Sequence, residues 1–272
     1  MKKLSKVLVL ALAAMLVVCG LTACGSSSSG GKMTNTEGKI VFGTNAEFPP
    51  FEYVDANGIL TDAEKTNKYD GIDMAIAKQI GEDSGMEVEI SNMEFDSLLV
   101  ALQNGQLDAV IAGMTVTDER KQSVDFTDTY YTATQVIIVP ENSEITKATD
   151  LKDKKIVCVQ GYTGQTCLDE LKEKDKGGYE YQAFKKGTEA VMEVANGKAD
   201  AFVIDSATAE KYVKDNKGLK IVKDADAFAD EEYAIAVKKG NSELLKVLND
   251  SIKKMKDAGK VSEFAAKYSV AE

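Results

Sequence analysis

The chain has 272 residues, of which 44% are hydrophobic and 28% charged, enough to bury a substantial core in one or two domains. Its formal net charge of -11 argues against nucleic acid and anionic lipid surfaces as partners. The sequence contains no histidine, which excludes serine–histidine and cysteine–histidine hydrolases and removes the commonest metal ligand, so we expect no metal and no cofactor.

Residues 1–23 have the pattern of an export signal: lysines precede an apolar stretch at 7–19. A membrane anchor helix is the alternative, but this stretch is shorter than the ~20 apolar residues that a span needs. The sequence LTAC at 21–24 resembles the bacterial lipoprotein signal, which implies that Cys24 becomes the lipidated first residue of the mature protein. Removal of the signal takes away three lysines and no acid, so the net charge becomes about -14.

Residues 24–38 are rich in serine and glycine and predict a flexible tether between the anchor point and a domain outside the cell. Two cysteines remain beyond the tether, Cys158 and Cys167. An extracytoplasmic location permits a disulfide between them, and two free thiols packed under a sheet are equally ordinary. The sequence leaves both possibilities open.

Strand and helix patterns alternate from Lys39 onward. The predicted elements are a strand at 39–44, a helix from 71 with isoleucines four residues apart, a strand at 86–91, a helix at 95–106 and a buried strand at 108–114. This alternation predicts a mostly parallel sheet that is covered on both faces.

The same alternation starts again after an extended stretch at 132–138, which we expect to join two α/β units. The predicted elements are strands at 135–140, 150–159, 201–205 and 219–222 with helices at 161–173, 188–200 and 207–216, then an extended run at 231–240, a helix at 242–259 and a last helix ending at 268. We expect the C-terminal segment to return to the first unit. The predicted lobes are then 39–133 plus 232–272, and 134–231.

Polar residues follow two of the buried strands, where ligands of open α/β sheets bind. Gly113, Thr115 and Arg120 follow the strand at 108–114, and Asp205 ends the strand of the second unit. The planar guanidinium suits a carboxylate and the aspartate suits an ammonium, so the pair predicts a receptor for a zwitterion. A surface ion pair for the arginine and a helix N-cap for the aspartate are the alternatives.

Two flanking motifs support this site. Thr117 is expected to cap a short helix and so to aim Arg120. The sequence GYTGQT at 161–166 lies between a strand and a helix, where free amides hold anions, so Thr163 and Gly164 are expected to touch the ligand carboxylate. A phosphate loop is a weaker reading because the motif lacks the GK[ST] ending.

Aromatic and amide side chains are candidates for contacts to the rest of the ligand. The loop NAEFPPFEY at 45–53 presents Asn45 and Phe48 beyond the first strand, and Phe95 starts the helix that could face it. Two rings around an aliphatic stem would add a few kcal/mol of apolar burial. Packing in the core is the alternative role for both rings.

From Lys39 to Tyr268 the chain resembles the bacterial polar amino-acid binding proteins of ABC importers, a periplasmic-binding-protein family. The motifs are FGTNAEFPPFEY, YDGIDMAIAKQIG, FDSLLVALQNGQLDAVIAGMTVTDERKQSVDFTDTYY, DLKDKKIVCVQGYTG and AFVID. The resemblance implies a periplasmic-binding-protein-like (type II) fold of two α/β lobes joined by two hinge crossings, with the ligand in the cleft. Carried over residue by residue, it assigns the carboxylate to Arg120, Gly113, Thr115, Thr163 and Gly164, the ammonium to Asp205, and the side-chain pocket to Phe48 and Phe95.

One position departs from the family pattern. Members that read a basic or amide side chain often carry aspartate where this chain has Asn45, and Gln160 is a second neutral amide near the expected pocket. The predicted ligand is therefore a neutral polar amino acid, with glutamine or cystine as candidates.

The resemblance also implies the partners: a free amino acid, an ABC permease with its ATPase, and the membrane through lipid on Cys24. We expect a monomer that does not bind nucleic acid. The rivals are a secreted enzyme similar to cyclohexadienyl dehydratase on the same fold, and the ligand-sensing subunit of a receptor.

Overall fold

The computed structural model describes residues 32–269. The predicted signal peptide, Cys24 and the tether up to residue 31 lie outside these residues. From Met33 onward the chain forms one compact unit. Within the described part, no helix has the length and apolar character needed to cross a membrane.

Strands and helices are numbered along the chain. The strands are β1 Lys39–Thr44, β2 Glu47–Phe48, β3 Glu52–Val54, β4 Leu60–Thr61, β5 Lys68–Asp70, β6 Glu87–Asn92, β7 Ala109–Val110, β8 Val124–Phe126, β9 Tyr131–Pro140, β10 Ile156–Val159, β11 Tyr181–Phe184, β12 Ala201–Asp205, β13 Leu219–Val222, β14 Asp230–Tyr233 and β15 Ala236–Lys238. The helices are α1 Ile72–Ser84, α2 Phe95–Gln103, α3 Asp118–Lys121, α4 Thr163–Lys174, α5 Gly187–Ala195, α6 Ser206–Asp215, α7 Ser242–Asp257 and α8 Lys260–Tyr268, with a 3-10 turn at Ala148–Leu151.

The first lobe is built on a sheet with the order β6-β1-β7-β15-β8. Its strands β6, β1 and β7 run parallel, and β15 is antiparallel to both of its neighbours. Helix α7 packs on α1 and α8, and it buries Leu244, Leu248, Ile252 and Met255, which recur at helical spacing on one face. The C-terminal segment therefore returns to the first lobe, as the two crossings require.

The second lobe is built on a sheet with the order β11-β10-β12-β9-β13. Its strands β11, β10 and β12 are parallel, while β9 is antiparallel to β12 and β13. Helices α4, α5 and α6 pack against this sheet. Every residue of β10 and β12 is buried, because helices cover both faces of the parallel strands.

The two crossings between the lobes lie side by side as a two-stranded ribbon. The first crossing enters β9, and the second leaves through β14, which pairs antiparallel with the first residues of β9 from Tyr131 to Thr134. Residues 132–138, where the sequence predicts extended chain, lie within β9. A backbone ribbon of this kind connects the lobes directly and carries side chains toward the cleft.

Several elements differ from the sequence predictions. The stretch 47–70 forms a small sheet, β2-β3-β5-β4, where the sequence predicts a loop at 45–53 and no strand at 54–70, and β8 and β11 are additional strands. The strand predicted at 108–114 is shortened to β7, and the positive φ of Gly113, 49°, turns the backbone three residues beyond the end of this strand. Cys158 and Cys167 are both free thiols.

Candidate functional site

A small pocket lies between the lobes at the carboxyl ends of β7 and β12. The residues that line it are Phe48, Phe95, Ala112, Gly113, Thr115, Arg120, Tyr162, Thr163 and Asp205. Apart from Asn45, Gln160 and Gly164, every site residue predicted from the sequence is in this set. The enclosed space is about 10 Å³, room for a single water molecule, so an amino acid can enter only when the lobes separate.

Arg120 lies on α3, and the N-cap of that helix positions it. The side chain of Thr117 accepts from the backbone N–H of Arg120 at 3.2 Å, as the capping prediction states. The guanidinium Nη1 donates to the carbonyl of Thr115 at 2.7 Å, and Nη2 donates across the cleft to the carbonyl of Gly161 at 3.0 Å. Burial lowers the pKa of Arg120, while the negative charges of Glu231 and Asp205 act to raise it.

The guanidinium of Arg120 makes no direct ion pair within the described residues, which leaves its charge for a bound anion. Within residues 32–269, no carboxylate oxygen lies within 4.0 Å of its guanidinium nitrogens. The guanidinium carbon is 5.2 Å from the centre of the Phe95 ring, which holds its plane over an aromatic face. The surface ion pair considered as an alternative is therefore not the arrangement found, and the guanidinium belongs to the pocket.

Asp205 ends β12 and brings the opposite charge to the same pocket. The residue occupies the N-cap position of α6, but its side chain makes no capping hydrogen bond. Instead its carboxylate accepts from the hydroxyl of Tyr233 at 2.5 Å, and only 3% of the residue is exposed. Burial, and then the charge of Glu231, raise the pKa of Asp205 to about 7.

A second carboxylate lies behind the pocket. Glu231 comes from β14, and its Oε2 atom accepts from the hydroxyls of Thr115 and Thr163, each at 2.7 Å. The side-chain amide of Gln135 donates to the Thr163 hydroxyl at 3.1 Å. These contacts join the first lobe, the second lobe and the crossing strands at one point.

Aromatic rings form one wall of the pocket. The rings of Phe48 and Tyr162 meet edge to face with centres 5.3 Å apart, and those of Phe95 and Tyr162 are 4.5 Å apart. A Cβ at Gly113 would lie 2.4 Å from Cε1 of Phe48, so only glycine fits there. The Phe48 ring therefore packs directly against the backbone at Gly113, just beyond β7.

Three predicted residues lie outside the pocket lining. Asn45 donates to the carbonyl of Met93 at 2.9 Å and accepts from the hydroxyl of Tyr162 at 2.9 Å, which ties it to the second lobe. Gln160 is exposed and donates to Asp96 at 2.8 Å. Gly164 is the second residue of α4, and a Cβ there would be 2.8 Å from the carbonyl of Val203.

Further contacts join the lobes at the rim of the cleft. The side chain of Lys186 lies 3.0 Å from the carboxylate of Glu47, and Thr188 donates to the same carboxylate at 3.2 Å. The hydroxyl of Tyr212 donates to the backbone carbonyl of Glu47 at 2.9 Å. These three residues of the second lobe hold β2 of the first lobe from outside the pocket.

Two buried carboxyl groups stand beneath the pocket floor. Asp73 Oδ2 accepts from the backbone N–H of Gly113 at 2.7 Å and from the hydroxyl of Tyr130 at 2.9 Å. Burial raises the pKa of Asp73 to about 7, and burial together with the charge of Asp73 raises the pKa of Glu52 well above its usual range. The raised pKa values favour the protonated form of Glu52 at neutral pH, and Asp73 fixes the backbone at Gly113.

Replacing Glu52 with glutamine is expected to raise stability at pH 8 by about 1 kcal/mol and to have a smaller effect at pH 5. The folded pKa of each carboxyl is raised, so the folded chain binds more protons than the unfolded chain, and this contribution to stability is lost as pH rises through about 7. Glutamine removes one ionisable group and can still donate to Asp73. Thermal unfolding at both pH values measures the effect.

Glu64→Gln serves as the control for that experiment, since Glu64 is exposed. A Glu52→Gln protein whose stability varies with pH as steeply as the wild type would contradict the raised pKa of Glu52.

Two residues that the sequence reasoning did not assign take part in this site. Tyr162 lines the pocket, and its position within GYTGQT, directly before Thr163, was an available signal. Glu231 lies in a run of three acids, and only the pairing of β14 with β9 brings it toward the threonines.

A family model described as bacterial extracellular solute-binding proteins, family 3, matches residues 40–271. The chain is 35% identical over 253 residues to a probable histidine-binding protein of Neisseria gonorrhoeae, covering 91% of this chain and 90% of that protein. It is 34% identical over 263 residues to the arginine-binding extracellular protein ArtP of Bacillus subtilis, covering 97% and 98%. The ABC transporter glutamine-binding protein GlnH of the same organism is 32% identical over 280 residues, covering 97% of each chain.

Solved structures of amino-acid binding proteins also resemble this chain. The substrate binding protein of an amino acid ABC transporter superposes with a TM-score of 0.77 at 37% identity, covering 85% of this chain and 99% of that chain. An ancestral arginine-binding protein bound to glutamine superposes with a TM-score of 0.76 at 39% identity, covering 86% and 98%.

Proposed function

The chain belongs to the bacterial extracellular solute-binding proteins of family 3, and from this premise we propose that it captures a neutral polar amino acid between its lobes and presents it to an ABC permease. Like its named relatives, it is an amino-acid binding protein of the ABC-transporter type, and it is not an enzyme. Glutamine and cystine are the candidate ligands.

The observation that carries the proposal is the pairing of one cation and one anion in a single pocket. Arg120 and Asp205 both line it, one from each lobe. An α-amino acid carries a carboxylate and an ammonium on the same carbon, so it can meet both groups at once. The carboxylate also meets the first amides of α4, at Thr163 and Gly164, where the helix leaves N–H groups without intrahelical partners.

The side chain of the ligand is assigned to the aromatic wall, and the neutral amides of Asn45 and Gln160, which lie outside the pocket lining, are assigned to its polar end once they exchange their hydrogen bonds to Tyr162 and Asp96 for the ligand. Phe48, Phe95 and Tyr162 give apolar contact to its stem. Asn45 and Gln160 can donate and accept, and a neutral amide lacks the charge that a basic side chain would require. The relatives named above bind histidine, arginine or glutamine, so the protein family itself leaves this choice open.

Closure of the lobes supplies the affinity. An amino acid of about ten heavy atoms reaches micromolar affinity, about -8 kcal/mol, only when most of its atoms are in contact with protein. Enclosure by both lobes meets that requirement, and the closed form is the species that a permease would recognise. Lipid on Cys24 and the tether at 24–38 would hold the protein beside that permease outside the cytoplasm.

A thermal-shift screen of the mature protein against the twenty amino acids and cystine tests this function. A ligand present at 100 times its Kd adds about 2.7 kcal/mol of stability, which raises Tm by roughly 5–10 °C. We expect glutamine or cystine to give the largest shift. A larger shift with arginine or histidine would overturn the neutral side chain, and no shift with any amino acid would overturn the function.

A further inference from the structure

Glu231 stands next to the ligand pocket without lining it. Its Oε2 atom is the acceptor for the hydroxyls of Thr115 and Thr163, and both of these residues line the pocket. The backbone of Glu231 is paired with Ala133 of β9, so the carboxylate is fixed to the ribbon that joins the lobes. From this position Glu231 can fix the orientation of both threonine hydroxyls.

Each threonine hydroxyl has a single hydrogen, and Glu231 takes both. The oxygen of Thr115 is then left with lone pairs alone toward the pocket. The oxygen of Thr163 also accepts from Gln135 at 3.1 Å, so one acceptor position remains on it. Neither hydroxyl can donate to a ligand carboxylate while this arrangement holds.

We infer that Glu231 is a positioning residue that turns the hydroxyl oxygens of Thr115 and Thr163 into acceptors for the ammonium group of the ligand. The inference rests on the proposed function, because it concerns how the same amino acid is read. An ammonium has three hydrogens, and Asp205 together with the two hydroxyl oxygens provides three acceptors around one pocket. The ligand carboxylate keeps Arg120 and the backbone amides at the start of α4.

The charges around the pocket agree with this division. Glu231 and Arg120 are not within ion-pair distance of each other among the described residues, so the guanidinium makes no direct contact with the glutamate although it lies in its field. Asp205 and Glu231 together place two acids beside the ammonium position. The charge of Glu231 is also one cause of the raised pKa of Asp205.

The arrangement predicts strict selection for the α-ammonium. A ligand without that group would leave the Thr115 oxygen without a donor and one acceptor position unfilled on each of Thr163 and Asp205, which already accept from Gln135 and Tyr233, and this is unfavourable in a closed pocket. Removal of Glu231 would free the hydroxyls to rotate and donate, and the selection would weaken.

The experiment uses Glu231→Ala and Glu231→Gln in the mature protein, with Glu232→Gln as the matched control. Glu232 is the neighbouring residue, is exposed, and accepts from Thr132 at 2.9 Å outside the pocket. The probes are L-glutamine, L-cystine, L-arginine and L-histidine, each with its des-amino analogue. Calorimetry gives the affinity ratio of each amino acid to its analogue.

We expect Glu231→Ala to lower this ratio on the order of tenfold, chiefly by weakening the binding of the amino acid and not that of its analogue. Glu231→Gln should retain part of the ratio, because an amide oxygen can still accept from the hydroxyls. In both variants the pH midpoint of amino-acid affinity should move to lower pH, since Asp205 loses a neighbouring negative charge. Glu232→Gln should match the wild type in ratio and midpoint.

An unchanged ratio in Glu231→Ala, or an equal loss for amino acid and analogue with an unchanged pH midpoint, would overturn the inference and leave the proposed function intact. A wild-type protein that binds none of the four amino acids would overturn both.

Discussion

Replacing Arg120 with alanine is expected to weaken amino-acid binding by at least about a hundredfold. Truncation of one partner of a buried charge pair costs on the order of 2–5 kcal/mol, because the ligand carboxylate is left in the closed pocket without its cation. Stability should fall by only about 1–2 kcal/mol, since the guanidinium loses hydrogen bonds to the carbonyls of Thr115 and Gly161. Calorimetry with the wild-type ligand and thermal unfolding without it measure the two effects.

Two further variants separate the role of the guanidinium from a general effect of positive charge on α3. Lys121→Ala removes the neighbouring positive charge on α3, where the lysine is exposed and paired with Asp118, and it should bind as the wild type does. Arg120→Lys keeps the charge but loses the planar fork, so we expect an intermediate affinity. Undiminished binding by Arg120→Ala would remove the carboxylate role from this residue.

Replacing Asp205 with asparagine is expected to reduce the affinity on the order of a hundredfold at pH 8 and to abolish its pH dependence. The pKa of Asp205 is raised to about 7, so the carboxylate is charged above that pH and protonated below it. The ligand ammonium needs the charged form. Wild-type affinity should therefore be constant above about pH 8 and fall roughly tenfold for each pH unit below 7.

Calorimetry from pH 5 to pH 9 tests that profile. Asp215→Asn, at the exposed end of α6, is the control and should follow the wild-type curve. A wild-type affinity that does not change between pH 5 and pH 8 would show that Asp205 does not titrate in this range and would contradict its raised pKa. Full affinity of Asp205→Asn for an amino acid would point to a ligand read through its carboxylate alone.

The elements that the sequence predicts well are long and strongly patterned. Buried strands such as β12 are short, almost continuous apolar runs, and amphipathic helices such as α7 carry a helical periodicity, and local packing alone imposes both patterns. The small sheet of β2 to β5 carries no such signal, because its strands are two or three residues long and are set by pairing across turns. The sequence therefore predicts the two lobes and misses this sheet.

The site divides in a similar way. Arg120 and Asp205 follow directly from the rule that ligands bind at strand ends, and both line the pocket. Glu231 could not be placed, since its relation to Thr115 depends on how the two crossings pair, 116 residues apart along the chain. Asn45 and Gln160 were assigned to a ligand side chain, and their hydrogen bonds to Tyr162 and Asp96 depend on how closely the lobes meet.

The contacts at Glu47 affect the affinity of the protein for its ligands without affecting its selectivity among them. Lys186 and Tyr212 reach Glu47 from the second lobe without touching the pocket, so they favour closure equally for every ligand. A change in these contacts would scale all affinities by one common factor and leave the ratios between amino acids unaltered. Through this rim, the uptake threshold could shift with the nutrient supply of a habitat while the choice of nutrient stayed fixed.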